Sequence, residues 1–288
     1  MGQGHQDRQH PGRLTVLDYD RILVTGAAGY LGRLVRASLR GRVPNLRLCD
    51  IAPMEPPLAG EEVMLCDLAD REAVGRALAG VDAVVHLGAS LNVDDWQQTL
   101  DVNIAGTYNV FEAARRGGAR RVVYASSHHA VGMYPITQQI GIDEPLRPDS
   151  LYGLSKCFGE STARYFWDKF GLEAVCLRIG SVRPHPSEQR ELATWMSEGD
   201  FEQLLLACLS APQIGFSIVY GVSDNDDVWW RNPDAARLGF VARDKAQLPG
   251  GKLADGDAAG VKPQYPLQGG KRAAYGLLEG AARLSAKR

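Results

Sequence analysis

Tyr152-Gly-Leu-Ser-Lys156 places a phenol and an ammonium four residues apart, about one helical turn, so both project from the same face. A cation beside a phenol favours phenolate and lowers its pKa from the usual ~10, which makes Tyr152 a candidate general base near neutrality. Such a pair alone is commonly a core edge next to solvent. Ser126-Ser127 adds weight, because it follows an apolar strand and so sits at the C-terminal edge of a sheet, where open α/β folds bind ligands. A Ser127 hydroxyl there can hold the same substrate oxygen that Tyr152 deprotonates.

A second cluster is suited to a phosphate rather than a proton. Thr25-Gly-Ala-Ala-Gly-Tyr-Leu-Gly32 spaces Gly26, Gly29 and Gly32 three apart, after a short strand and at the opening of a helix. Gly26 makes the sharp turn, Gly29 lets backbone approach a pyrophosphate, and Gly32 permits close helix packing, while the helix N-terminus faces the anion. A glycine-rich turn without a ligand is the bland alternative. Asp50 decides against it, since it ends the second strand 18 residues beyond Gly32, near the ~20 expected of an acid that binds the adenine ribose. Its carboxylate would repel a 2′-phosphate, so NAD is favoured over NADP. Asp67, after the third strand, is placed to accept from the adenine amino group.

These groups need a scaffold, and the pattern supplies one. A short apolar run rich in β-branched residues falls at 21–25, and further candidate strands follow at 46–49, 62–65, 83–86, 121–125, 174–178 and 216–220, with helical periodicity at 71–78, 96–116 and 152–170 between several of them. Strands alternating with helices predict an α/β fold, a doubly wound parallel sheet of Rossmann type. Residues 21–243 form one such domain, with substrate-pocket segments at 182–212 and 220–243. A disordered arm is expected at 1–20, and an irregular Gly-rich tail at 244–288 with one short helix at 273–282.

Composition excludes other classes. The 288 residues carry 32 Lys plus Arg against 34 Asp plus Glu, and a formal charge of −2 leaves no footprint for nucleic acid or an anionic membrane. No stretch reaches the ~18 apolar residues of a membrane span. Five cysteines without CxxC or finger spacing read as reduced thiols. A soluble, cytoplasmic protein is the expectation.

The constellation resembles the extended short-chain dehydrogenases, and its closer wording resembles the uronate dehydrogenases. The matching phrases are Val84-Val-His-Leu-Gly88, Tyr124-Ala-Ser-Ser-His-His129, the stretch from Leu151 to Glu160, Arg178-Ile-Gly-Ser181, and Gly221-Val-Ser-Asp-Asn-Asp226 followed by Trp229-Trp230. This resemblance implies NAD-dependent oxidation of the anomeric carbon of a hexuronic acid, glucuronate or galacturonate, to the aldarolactone. It implies that Tyr152 accepts the proton, Lys156 binds the nicotinamide ribose, and Ser127 serves substrate and catalysis. It extends the cofactor surface to Tyr30, Leu31, Leu68, Leu87, Gly88, Ala89, Asn103 and Ile179. Around the sugar it places Ser90, His128, His129, Ser181 and Arg190. A guanidinium gives a carboxylate a planar bidentate partner, so Arg190 would separate a uronic acid from a neutral sugar. Helices 96–116 and 152–170 resemble those through which the superfamily often dimerises, so a homo-oligomer is expected.

Two departures fall in the pocket. His128 stands where the family usually has Asn, and Leu91 stands where it has Ser, with Ser90 or Asn92 as neighbours. The two histidines suggest a metal pair, but adjacent residues at a strand end point to opposite sides, and no further ligand lies nearby, so no metal is expected. Rival readings are a dehydrogenase of another aldose or a sugar phosphate, a sugar-nucleotide epimerase, and a non-catalytic NAD sensor. A sugar phosphate would favour additional cations near Arg190, for which Arg183 is the sole obvious candidate.

Overall fold

A computed structural model describes residues 16–92, 94–247, 252–253, 256–257 and 265–275. In chain order its elements are β1 (Arg21–Thr25), α1 (Tyr30–Leu39), β2 (Asn45–Asp50), β3 (Glu61–Leu65), α2 (Arg71–Ala77), β4 (Ala83–His86), α3 (Trp96–Gln98), α4 (Gly106–Gly117), β5 (Arg121–Ser127), α5 (Leu151–Phe170), β6 (Glu173–Ile179), β7 (Ser181–Val182), α6 (Glu191–Thr194), β8 (Trp195–Met196), α7 (Glu198–Ser210), β9 (Phe216–Gly221), α8 (Pro233–Arg237), β10 (Lys252–Leu253), β11 (Gly256–Asp257) and α9 (Lys271–Ala274). Seven strands form one sheet in the order β3-β2-β1-β4-β5-β6-β9, and every pairing is parallel. This is the doubly wound architecture that the alternation of elements predicts.

Because side chains alternate along a strand, each central strand feeds two cores. Ile22 and Val24 of β1, Val85 of β4, Val123 of β5 and Val175 of β6 bury on one face with α1 and α7. Leu23, Val84, Val122, Tyr124 and Cys176 bury on the other with α2, α4 and α5. A third apolar cluster gathers Tyr220 of β9 with Val131, Tyr134, Trp229 and Trp230 from the segments that follow β5 and β9.

Several boundaries differ from the sequence expectation for physical reasons. The segment 182–212 is only partly pocket wall: α7 lies against the sheet, where Phe201, Leu204, Leu205, Cys208 and Leu209 join the core, so it is the crossover helix between β6 and β9. The helix expected at 96–116 is interrupted by a π-helical turn at Thr99–Ala105. At the N-terminus, Leu17 and Tyr19 are buried and the Tyr19 hydroxyl donates to the Leu209 carbonyl, 3.0 Å, so the expected arm is tied down from Leu17; residues 1–15 lie outside the described residues.

The tail is also more engaged than its composition suggests. Gln268 is fully buried, donates to the Pro135 and Gln138 carbonyls, and accepts from the Trp230 indole at 2.9 Å. Leu267 bridges Pro135. The helix expected at 273–282 is instead Lys271–Ala274, and its remainder falls outside the described residues. Among the described residues no helix is long and apolar enough to cross a membrane.

Candidate active site

The β1–α1 turn is built as a bare-backbone cradle. Gly26 has φ +69°, and a Cβ there would meet Gly88 N at 2.7 Å. One on Gly32 would meet the Gly26 carbonyl at 2.3 Å, so a side chain at either position would fill the crevice or push α1 away. Gly29 caps α1 without a side-chain hydrogen bond, and the first turn carries no acid, which leaves its N–H groups free for an anion. Asp50 is drawn to this turn, its carboxylate accepting from Ala28 N at 2.9 Å and Ala52 N at 3.0 Å. Tyr30 and Leu31 open α1 beside it. Leu87, Gly88 and Ala89 follow β4, and Gly88 N donates to Thr25 Oγ1, while a Cβ on Gly88 would strike Leu68 at 2.7 Å. Asp67 is exposed and accepts from Ala69 N. An exposed N-terminus, absent side chains and one carboxylate at the ribose end fit a dinucleotide without a 2′-phosphate.

The π-helical turn has a visible purpose. It presents Asn103, buried, to the loop after β4: Asn103 Oδ1 accepts from Ser90 N at 2.7 Å, and Nδ2 donates to Ser90 O at 2.8 Å and Ser155 Oγ at 3.1 Å. Ser155 in turn donates to the Tyr152 carbonyl. Asn103 therefore ties the cofactor-side loop to the helix that carries Tyr152. Ser90 Oγ donates to Gln98.

Two glycines on α5 decide how close Tyr152 comes to Ser127. A Cβ on Gly153 would lie 2.3 Å from the His129 carbonyl, and one on Gly159 would lie 2.1 Å from the Tyr124 hydroxyl. Helix α5 can thus press against both β5 and the turn that follows it. Ser150 caps α5 by accepting from Gly153 N, 3.1 Å. Behind the contact, Glu160 takes two hydrogen bonds from the Arg178 guanidinium and one from Ser126, all buried, which locks α5, β5 and β6 together. Ser127 Oγ accepts from His129 N at 3.2 Å, and its side chain also hydrogen-bonds Tyr152, which favours the phenolate. Ile179, at the end of β6, pairs with Ser127 across the sheet edge.

The electrostatics depart from the simple tyrosine–lysine expectation. Lys156 Nζ sits 5.3 Å from the Tyr152 ring centroid and 4.9 Å from that of Tyr124. It is buried, and burial pulls its pKa down to about 7, while burial pushes Tyr152 up. Two groups oppose that rise: the Arg272 guanidinium, 5.1 Å from the Tyr152 ring centroid, and the Ser127 side chain. Arg272 belongs to α9, in the tail. Burial also drives His86 to about 3, so it is neutral, between Thr25 Oγ1 at 2.7 Å and Thr107 Oγ1 at 3.2 Å.

His128 and His129 do not splay from a strand end. Ser127 caps a short 3₁₀ turn over His128–Val131, and the two ring centroids lie 4.1 Å apart. His129 Nδ1 donates to Asp149 Oδ2 at 2.6 Å, and its ring meets Tyr152 edge-on at 5.9 Å. Burial holds His129 well below the ordinary histidine range and raises Asp149 to about 6. At neutral pH the pair is therefore imidazole and carboxylate, with His129 Nε2 left as an acceptor. Buried His128 has both nitrogens engaged, Nδ1 with the Ile179 carbonyl at 3.0 Å and Nε2 with Arg190 NH1 at 3.1 Å. A carbonyl only accepts, so the proton is on Nδ1 and Nε2 accepts from the guanidinium. Burial, His129 and Arg190 all hold His128 neutral.

Arg190 also donates to Glu188 at 3.0 Å through Nε. Among the described residues NH2 and the second NH1 proton have no partner, which suits them to a bidentate one. Ser181 bonds Thr194 at 3.1 Å. Arg183 pairs with Glu191 at 3.0 Å. Among the described residues no group of three or more His, Cys, Asp or Glu is arranged for a metal. Sequence reading missed Arg272, Asp149, Gly153 and the tail's share of the pocket. The Asp149-Ser150 pair ahead of α5 was an available signal for a cap, whereas nothing local to the 271–274 stretch points at the site.

Residues 22–196 match the model of the NAD dependent epimerase/dehydratase family. The uronate dehydrogenase of Pseudomonas putida is 46% identical over 81% of this chain and 88% of its own. The crystal structure of a glucuronic acid dehydrogenase from Chromohalobacter salexigens superposes with a TM-score of 0.85 at 42% identity, covering 90% of this chain and 98% of that one. A mutant uronate dehydrogenase from Agrobacterium tumefaciens, complexed with NAD, gives 0.80 at 42% identity over 88% and 97%.

Proposed function

The chain belongs to the NAD dependent epimerase/dehydratase family, and we propose that within it this enzyme oxidises the anomeric carbon of a hexuronic acid, glucuronate or galacturonate, to the aldarolactone. The observation that carries the substrate class is the run of contacts Tyr152–His129–His128–Arg190, which sets a guanidinium two imidazole rings away from the phenol. A cyclic uronic acid has the same polarity, a hemiacetal hydroxyl at one end and a carboxylate at the other.

In this reading Tyr152 takes the proton of the C1 hydroxyl, while the Ser127 proton holds the same oxygen. Bound NAD accepts the hydride that leaves C1. Its pyrophosphate would rest on Gly26, Gly29, Tyr30, Leu31 and Gly32, with Asp50 at the ribose and Asp67 and Leu68 at the adenine. Leu87, Gly88, Ala89, Asn103, Lys156 and Ile179 would line the nicotinamide half. Arg190 holds the carboxylate by its NH1 and NH2 edge, and His128 fixes that edge in place. The acceptor nitrogen of His129 and the hydroxyls of Ser90 and Ser181 read the ring hydroxyls. The printed activities of the relatives support the same substrate class.

The test is NADH formation from glucuronate, galacturonate and glucose by the wild type and by Arg190→Ala. Losing a charge-assisted bidentate pair should weaken uronate use about 10²-fold or more, through KM first. Glucose turnover exceeding uronate turnover in the wild type would reject the substrate class.

The chain is further read as a cytoplasmic homo-oligomer. All five cysteines are buried and free, and Tyr108 of α4 with Leu154, Phe158 and Tyr165 of α5 is exposed on helices long enough to pair with a second copy. Sedimentation at monomer mass would oppose the second part.

A further inference from the structure

Tyr152 is faced by charged or titratable groups from several elements. Lys156 comes from α5, Asp149 from the approach to α5, His129 from the 3₁₀ turn after β5, and Arg272 from α9, with Ser127 at the end of β5. His129 is neutral and Asp149 opposes ionisation of the phenol. Among the described residues two cations remain, and they differ in kind. Lys156 is buried and titrates near neutrality, so it carries a partial charge there. A guanidinium stays charged at every pH of interest and keeps its charge against a ring face.

Arg272 is also firmly delivered. The segment before it is fastened by the buried Gln268 and by Gly269 N donating to the Gly132 carbonyl at 2.8 Å, and Gly270 packs on Arg190. On the far side Arg272 NH1 reaches the Leu91 carbonyl at 3.5 Å. Its guanidinium thereby spans from the loop after β4 to the phenol.

We propose that Arg272 is an electrostatic positioning residue for catalysis: the permanent cation that, acting through Tyr152, keeps the phenol able to give up its proton at neutral pH. This rests on the reading of Tyr152 as the base. The C-terminal segment is then a part of the catalytic apparatus rather than an appendage to it. Arg190 and Arg272 divide the work, one holding the substrate's anion and the other supporting the base.

The experiment is the pH profile of kcat/KM for uronate with NAD+ in the full-length wild type, Arg272→Gln, Arg272→Lys and Tyr152→Phe. Loss of a full charge about 5–6 Å from the ring should move the acid limb of Arg272→Gln up by about one to two units. Turnover at neutral pH then falls about tenfold or more and recovers on the alkaline side, because the phenol still ionises there. Arg272→Lys should keep its limb near the wild-type position. A uniform loss at every pH, or a raised KM with the limb unmoved, would overturn the proposal, the first by making the role structural and the second by placing Arg272 on the substrate. Tyr152→Phe separates the two claims: if it turns over normally the base reading itself fails, whereas an inactive Tyr152→Phe with an unshifted Arg272→Gln removes only this proposal.

Discussion

Replacing Gly153 by Ala tests whether close approach of α5 to the turn after β5 sets the reaction geometry. The added Cβ would sit 2.3 Å from the His129 carbonyl oxygen, 3.0 Å from the carbon of that carbonyl and 3.2 Å from Asp149 Oδ1. Ordinary contact needs roughly 1 Å more, and on both sides the atoms that must yield are backbone, held by the Ser150 cap on α5 and the Ser127 cap on the 3₁₀ turn. The strain should cost about 1–3 kcal/mol of stability, as overpacking does in other cores. Activity should fall further, because a displacement of ~1 Å between Tyr152 and Ser127 is enough to cost about 10²-fold in kcat. Thermal unfolding and steady-state NADH formation read the two effects separately. Gly75→Ala is the control: it lies in α2 with open space around the new methyl, and should gain about 0.5–1 kcal/mol with kcat unchanged. Gly153→Ala with wild-type kcat would refute the argument that α5 must press this closely.

Asp50→Ala should narrow the preference for NAD over NADP, since the carboxylate that would repel a 2′-phosphate is gone; the ratio of kcat/KM for the two cofactors reads this, and an unchanged ratio counts against the assignment. Acid stability has a named contributor in Glu61. Burial pushes its carboxyl up, but the Arg36 side chain, the Leu58 amide and Arg40 outweigh burial and hold it at about 2. A folded pKa below the unfolded value means stabilisation that is complete above the ordinary carboxylate range and lost as pH falls from about 4.5 toward 2. Glu61→Gln should therefore be less stable than wild type at neutral pH and converge with it in acid, followed by denaturant midpoints across that range.

The parts of this molecule governed by local rules were readable in the chain. The central strands of the main sheet show as apolar runs because both faces of a parallel sheet are buried there, while edge strand β3 is half exposed and reads more faintly, and Gly26, Gly29, Gly32 and Asp50 lie at the spacing expected of a dinucleotide site. Tyr152, Lys156 and Ser127 likewise arrive on the predicted helix and strand end. What escaped depends on contacts across long stretches of sequence. Arg272 reaches Tyr152 from 120 residues away, and Gln268 is fixed by Pro135 and Trp230. The exchange of amide for imidazole at residue 128 read as a change in substrate contacts, yet in the structure both ring nitrogens face protein, one of them Arg190. The π-helical turn was hidden too, since an apolar pattern does not say which carbonyl each backbone N–H will reach.

The central claim is that Tyr152 and Arg190 work on opposite ends of one uronic acid. Its most direct measurement is the absorbance of NADH when the purified protein meets NAD+ and glucuronate or galacturonate, with Tyr152→Phe as the partner sample and the product identified as lactone. Stoichiometric NADH and aldarolactone are expected from the wild type, and a rate lowered by about 10²–10⁴ in the variant, the usual worth of a positioned acid or base. Full activity in Tyr152→Phe, or no turnover of either uronate by a wild type that oxidises another sugar, would contradict it.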